Sequence, residues 1–431
     1  VSQQSSWIDR YVSTVERYTD SPTIFIRTAA YFVAGAAIRK LAYFRESKNL
    51  FPNLYYVLVA PPARFRKTHA LNLGLTVLEE VVPCNHFLPQ GGSDQGFDVA
   101  LVQTDGYGIA YYEELMKFLA LSSREHTSQM GVKFLEYFDP SGKDTVTRTK
   151  KDGELVIPKG TCSTFASACT DDDFLKFMSS GAVSSGQLSR CLVVSPSEED
   201  IRPTYTTVPI VPDHFYHSMA SDLKSILPKF QTEYRFTKDA LDEIASCDDA
   251  VSEWHEENHN YVLRKSTARV THILKRLALI TAVMRGSKNI VEPEDVQAAW
   301  TGLVSPHYLR TIKYFARFGQ QERSDQMLRT NIQRRLEGAP STVLILARDL
   351  NEKPEHVFMA VMTLLKHGSI FKETFKGVSY WRSYDQESDI DPNTPIAKEE
   401  KIIRELRKLL KEDGKPKKAG NIIRVEHEEK V

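Results

Sequence analysis

What this chain lacks narrows the choices first. Its five cysteines (Cys84, Cys162, Cys169, Cys191 and Cys247) are an odd number without Cys-x-x-Cys spacing. That argues against a cysteine-built zinc site and against a framework of paired disulfides, and makes a reduced, cytoplasmic protein the expectation. No apolar run approaches the roughly 18 residues of a membrane span; the most apolar stretch, residues 23–44, is broken by Arg27, Arg39 and Lys40. Charge of one sign is missing too, because 56 Lys plus Arg are balanced by 56 Asp plus Glu. Any attraction to nucleic acid must therefore come from local patches rather than from bulk charge. A signal-peptide pattern is absent, and the polar lead from Val1 reads as the start of a fragment of a longer protein.

With 431 residues, 41% of them apolar, the chain suits two or three folded domains. Residues 6–44 read as two helices separated by Asp20-Ser21-Pro22, where Ser21 can cap and Pro22 fits a first helical turn. Residues 54–195 alternate short β-branched or aromatic runs with helical patterns, the sequence form of an α/β domain with a mostly parallel sheet. Strands are expected at 54–60, 108–112, 162–168 and 190–194. Residues 214–318 read as helices only, with apolar positions such as Val270, Ile273, Leu274, Leu277 and Ile280 at helical spacing. Three helices and two short strands across Lys376-Gly377 follow, a winged-helix pattern. The boundaries expected are an N-terminal helical segment 1–50, an α/β core 51–212, a helical subdomain 213–323, a winged-helix domain 324–384 and a charged, mobile tail 385–431 with a solvated helix at 396–411.

The densest chemical signal is a buried strand running into Pro61-Pro62-Ala63-Arg64-Phe65-Arg66-Lys67-Thr68 and then a helix. A loop ending in Lys-Thr at a helix N-terminus is the layout of a nucleotide-phosphate pocket. Lys67 would neutralise β- and γ-phosphate oxygens, Arg66 would stand beside it, and Thr68 would ligate Mg²⁺. Glycines usually let such a loop reach its dihedrals and let phosphate approach; here prolines without N–H groups stand instead. An ordinary strand–loop–helix turn explains the segment equally well on its own.

The strand ending Tyr112-Glu113-Glu114 tips the balance. Glu113 would take the metal side and Glu114 would act as the base for an attacking water, although acidic residues are also favoured at any helix N-terminus. Further on, the small-residue strand ending at Ser167 offers a hydroxyl to sense the γ-phosphate, whereas Thr170 reads as a helix cap. Arg190, directly before a strand, can project into a neighbouring subunit as a finger.

The series Val59-Ala60-Pro61-Pro62, Arg66-Lys67-Thr68, Glu113-Glu114 and Ser189-Arg190 resembles phage and mobile-element P-loop ATPases that lie C-terminal to primase or primase-polymerase domains, similar in plan to the MCM-type AAA+ helicases. The resemblance spans residues 7–318. It implies an AAA+ P-loop core with a helical lid, ATP and Mg²⁺ at subunit interfaces of a homo-oligomer, commonly a hexamer, and a finger at Arg190. It further implies a second sensor on the lid, the position that Arg269 matches. The family's loop keeps glycine where this chain has Ala60 or Ala63.

Residues 143–157 alternate Thr and Val around Asp152-Gly153, a hairpin signal that puts Arg148, Lys150 and Lys151 at its tip. In the MCM-like plan such a hairpin holds single-stranded DNA; a solvated hairpin is the plain alternative. The expected recognition helix of the winged domain shows Glu355, His356, Met359 and Met362, a poor phosphate reader. Three functions follow in order: an ATP-dependent ring helicase or translocase of a phage replication protein, fused to or associated with a primase or polymerase; a catalytically degenerate ring that encircles single-stranded DNA as a scaffold; and a winged-helix DNA-binding regulator. None involves a membrane.

Overall fold

The computed structural model describes residues 6–62, 64–90, 94–122, 130–149, 153–178, 182–183, 185–197, 200, 210–338, 341–366, 370–375 and 378–383. The chain divides into two compact units, residues 1–324 and 325–431.

In the first unit, α1 (Trp7–Val15) is capped by Ser6, whose hydroxyl accepts the Asp9 N–H. The next helix, α2 (Thr23–Ile38), is buried nearly all round, which accounts for its run of apolar and small residues. Among the described residues no helix is long and apolar enough to cross a membrane. The helix stops at Ile38, earlier than its apolar run suggests, because Arg39 turns into positive φ and residues 42–45 become strand β1 (Ala42–Arg45). β1 turns back into β2 (Asn49–Leu50).

The sheet that positions the site follows. β3 (Tyr55–Val59) leads into α3 (Lys67–Val81); α4 (Asp94–Val102) precedes β4 (Tyr107–Tyr112); α5 (Leu115–Ser122) and α6 (Met130–Phe138) precede the hairpin β5 (Thr145–Thr149) and β6 (Gly153–Ile157); β7 (Cys162–Cys169) leads into α7 (Asp171–Phe177); and β8 (Cys191–Val194) closes the set. The order is β4-β7-β3-β8, all parallel. Beyond β4, Phe87 forms one parallel bridge to Ile109. β3 and β7 are interior strands buried on both faces, so they read as unbroken runs rather than alternating ones. On one face Phe32 of α2 meets Tyr56 edge-on at 5.9 Å, and on the other Phe134 packs 5.2 Å from Phe165. Each such buried ring stabilises the fold by about 2 kcal/mol.

The rest of the unit comprises α8 (Asp213–Ile226), β9 (Thr232–Phe236), α9 (Lys238–Asn258), α10 (Tyr261–Ser266), α11 (Val270–Met284), β10 (Ile290–Val291) and α12 (Pro293–Ala299). The expectation of helices only over 214–318 is corrected here. β9 pairs with β1 and β10 to form a second sheet, β10-β9-β1-β2. These strands are two to five residues long and find their partners far along the chain, which local periodicity does not register. α13 (Arg310–Gly338) carries the boundary between the units.

The second unit has its own core of Ile332, Leu336, Leu346, Val357, Val361, Ile370 and Trp381. It contains α14 (Val343–Leu350), α15 (Pro354–Lys366) and the antiparallel pair β11 (Ile370–Phe375) and β12 (Val378–Ser383). Ser341 bridges Trp381 of β12. The Lys376-Gly377 turn and the tail from 384 onwards, with its expected helix at 396–411, lie outside the described residues.

Candidate functional site

Open parallel sheets bind ligands at the carboxyl ends of their strands, and that edge is where β3 delivers the Lys-Thr loop. Ala60 is still buried, Pro61, Pro62 and Arg64 are exposed, and Phe65 is tucked back at 9% exposure. Arg66 then adopts a left-handed conformation, φ 44° and ψ 41°, and Lys67 begins α3. The side chain of Arg66, the N-cap residue, makes no capping bond, and the first N–H groups of the helix have no intrahelical acceptor. Thr68 occupies the second position of the helix, half-buried. The Lys67 ammonium donates to the carbonyls of Ala60 at 2.6 Å and Pro61 at 3.1 Å. Burial pulls its pKa below the ordinary lysine value, against the opposing fields of Cys169 and Asp171.

The resemblance puts the family's loop glycine at Ala60 or Ala63, the latter outside the described residues; the left-handed residue is Arg66, directly before the lysine. The guanidinium of Arg66, expected beside the phosphates, instead forms a 2.5 Å ion pair with Asp20. Ser21, expected to cap α2, donates its hydroxyl to the Arg66 carbonyl at 3.1 Å, and Pro22 stands at the N-cap without a side-chain bond.

Glu113 and Glu114 lie at the same edge, immediately after β4, and both are exposed. Glu113 pairs with Lys117 one turn into α5 at 3.6 Å. Because β7 intervenes, β4 stands two strands from β3, roughly 10 Å away at the usual spacing. The carboxylate whose field acts on Lys67 is Asp171, at the start of α7 after the adjacent strand β7. Burial raises the Asp171 pKa and the Lys67 charge lowers it. Asp171 has no place among the sequence candidates, because nothing along the chain separates it from Asp172 and Asp173 in the first turn of α7; only the pairing of β7 with β3 sets it apart. Thr170 caps α7, accepting the Asp173 N–H at 3.2 Å. Ser167 lies two residues inside the strand end, paired with Val57 and Tyr112, and its fully buried hydroxyl has no hydrogen-bond partner among the described residues.

Arg190 occupies the opposite, amino edge. It directly precedes β8, whose Cys191 pairs with Tyr55 at the start of β3. Arg190 donates to the Gly186 carbonyl at 2.8 Å and to Asp139 Oδ2 at 3.1 Å. Arg269, before α11, reaches the same oxygen at 2.5 Å. Arg276, wholly buried, bonds the carbonyls of Asn53 and Phe138 at 2.8 and 2.9 Å and stands 3.7 Å from Asp139 Oδ1. One carboxylate thus faces three guanidiniums. Burial pushes the Arg276 pKa down to about 10, and burial followed by the Arg269 charge lowers that of Arg190. Lys48 is also lowered, chiefly by burial.

Gly153 has φ +74° at the end of the β5–β6 hairpin, and Arg148 pairs with Glu154. Lys150, Lys151 and the Arg148 side chain lie outside the described residues. No group of three or more His, Cys, Asp or Glu able to hold a metal ion occurs among the described residues. A cleft of about 650 Å³ opens between α3 and β4, lined by Asn72, Glu79, Cys84 and Tyr111 among others; none of Lys67, Thr68, Glu113, Asp171 or Arg190 lines it.

What the fold and these edges define is an α/β protein with a parallel central sheet, a Lys-Thr loop at one end of it and a cluster of arginines at the other. No protein-family model matches the chain, and no match was found among the curated proteins.

Proposed function

We propose that the chain is an ATP-dependent, ring-forming motor of the P-loop class, an AAA+ core with a winged helix, working on single-stranded DNA in phage or mobile-element replication beside a primase or polymerase. The observation that carries this reading is the placement of Lys67 and Arg190 at opposite ends of one parallel sheet. An arginine so far from its own Lys-Thr loop can serve a triphosphate only on a neighbouring copy.

Lys67 and the uncapped N–H groups of α3 would meet the β- and γ-phosphates. The donor set fits Mg²⁺ bound as its nucleotide complex, which needs only one or two protein ligands beside phosphate oxygens and water; Thr68 with Asp171 or Glu113 would supply them. When bound, the ion neutralises charge on the transferring phosphoryl oxygens. Glu114 would orient the attacking water, and Arg190 and Arg269 would present positive charge from the next subunit.

The test is ATP turnover with single-stranded DNA in wild type, Lys67→Ala, Arg190→Ala and an equimolar mixture of the two variants. Each variant alone should be inactive, and the mixture should recover activity, because a Lys67→Ala subunit lends its Arg190 to an intact loop. Absence of turnover in the wild type at any Mg²⁺ concentration rejects the motor. A second reading, a ring that encircles DNA without turnover, is favoured by the Lys67 ammonium being engaged on the Ala60 and Pro61 carbonyls; salt-sensitive DNA binding without nucleotide binding would select it.

A further inference from the structure

Among the described residues, six that are not glycine have positive φ: Arg39, Arg66, Asp105, His259, Asn289 and Asn351. Four of these are Asp, His or Asn, whose short polar side chains adopt the left-handed region most readily. Arg66 has no such excuse. It occupies the position directly before Lys67, where a phosphate loop of the form G-x-x-x-x-G-K-[ST] has glycine. A strained residue of this kind persists only where its surroundings over-determine it.

Those surroundings come from the turn between α1 and α2. Thr19, Asp20 and Ser21 are 0%, 6% and 0% exposed although all three are polar. Thr19 Oγ1 donates to Ser21 Oγ at 3.1 Å and accepts the Ser21 N–H at 3.1 Å, which fixes the turn internally. Asp20 Oδ1 then pairs with Arg66 Nε at 2.5 Å, and Ser21 Oγ donates to the Arg66 carbonyl at 3.1 Å. That carbonyl also accepts the first helical bond of α3, from the Ala70 N–H at 3.1 Å. The side chain of Arg66, which leaves the backbone between φ and ψ, and its carbonyl, which lies beyond ψ, are therefore both gripped.

We infer that Asp20 and Ser21 are positioning residues that hold Arg66 left-handed in place of the loop glycine and so set the direction of the Lys67 and Thr68 amides toward a nucleotide triphosphate. The inference rests on reading Lys67-Thr68 as a phosphate pocket. It explains how a glycine-poor loop can keep the required turn, and it assigns a role to a segment 45 residues away in sequence.

Two readouts on the full chain test it: calorimetric Mg-ATP affinity, and hydrogen exchange of the Ala70 amide without nucleotide. Asp20→Asn and the milder Ser21→Ala should each lower Ala70 protection, and Asp20→Asn should weaken Mg-ATP about tenfold, an effect of the size expected for a left-handed non-glycine residue. Arg66→Gly should keep both properties, and Asp20→Asn with Arg66→Gly should restore both, because glycine needs no clamp. Arg66→Val should lose both. A plain structural ion pair predicts instead that Arg66→Gly is as damaging as Asp20→Asn; that result, or unchanged Ala70 exchange in both Asp20→Asn and Ser21→Ala, overturns the clamp. If the exchange pattern appears as expected but the wild type binds no Mg-ATP, the phosphate-pocket reading falls and the clamp stands.

Discussion

Arg190 and Arg269 meet on a single oxygen of Asp139, at 3.1 and 2.5 Å, although they lie 79 residues apart in the chain. The carboxylate holds the finger candidate and the lid-sensor candidate in one place, and the buried Arg276 leans on its other oxygen. Asp139→Ala leaves Arg276 buried without a counter-charge, with only two carbonyls and the Phe138 ring, 4.1 Å away, to receive it. Breaking a buried pair from one side costs about 3 kcal/mol or more. Urea unfolding should show a loss of about 3 kcal/mol for Asp139→Ala and clearly less for Asp139→Asn, which keeps a hydrogen-bond acceptor. Equal and negligible losses would mean that the arginines do not depend on this carboxylate.

Lys67 gives a pH dependence with a defined sign. Its pKa in the folded protein is lowered from the ordinary 10.5 by burial. Phosphate binding needs the ammonium, so affinity should be full at neutral pH and fall as pH rises through the lowered value, at a pH where an ordinary lysine is still charged. A bound triphosphate favours the charged form, so binding in that alkaline window should take up protons. The unbound fold behaves in the opposite sense: a buried cation with a depressed pKa is a cost at neutral pH that is relieved as it loses its proton. Calorimetry in buffers of different ionisation enthalpy reads the uptake directly, and Lys67→Ala should abolish it.

Gly108 tests the sheet beneath the Glu113-Glu114 pair. A Cβ at this position would lie 2.5 Å from Leu88 Cδ1 and 2.7 Å from Leu101 Cδ2. Overpacking of this kind costs about 1–3 kcal/mol. Gly108→Ala should lower thermal stability accordingly, and Gly108→Ala with Leu88→Ala should lose less than the sum of the two single variants, because truncating Leu88 opens room for the methyl group. A stable single variant would show that β4 and the Phe87–Leu88 segment can separate freely.

Much of this protein could be read along the chain. The four parallel strands lie within one residue of their expected bounds, because each is a short run of apolar, aromatic or small residues; Lys67-Thr68 and Glu113-Glu114 follow their strands, and Arg190 precedes its own. The sequence by itself determined these local facts: where the four strands of the parallel sheet lie, that Thr170 caps α7, and that Gly153 takes the positive φ of the hairpin. Pairing between distant segments decided the remainder. Only the fold makes Asp171 the carboxylate acting on Lys67, sends Arg66 to Asp20, gathers Arg190, Arg269 and Arg276 on Asp139, and turns residues 42–45 and 232–236 into neighbouring strands. Propensity and capping act over three or four residues, whereas an ion pair or a strand register depends on which distant surfaces the core brings together.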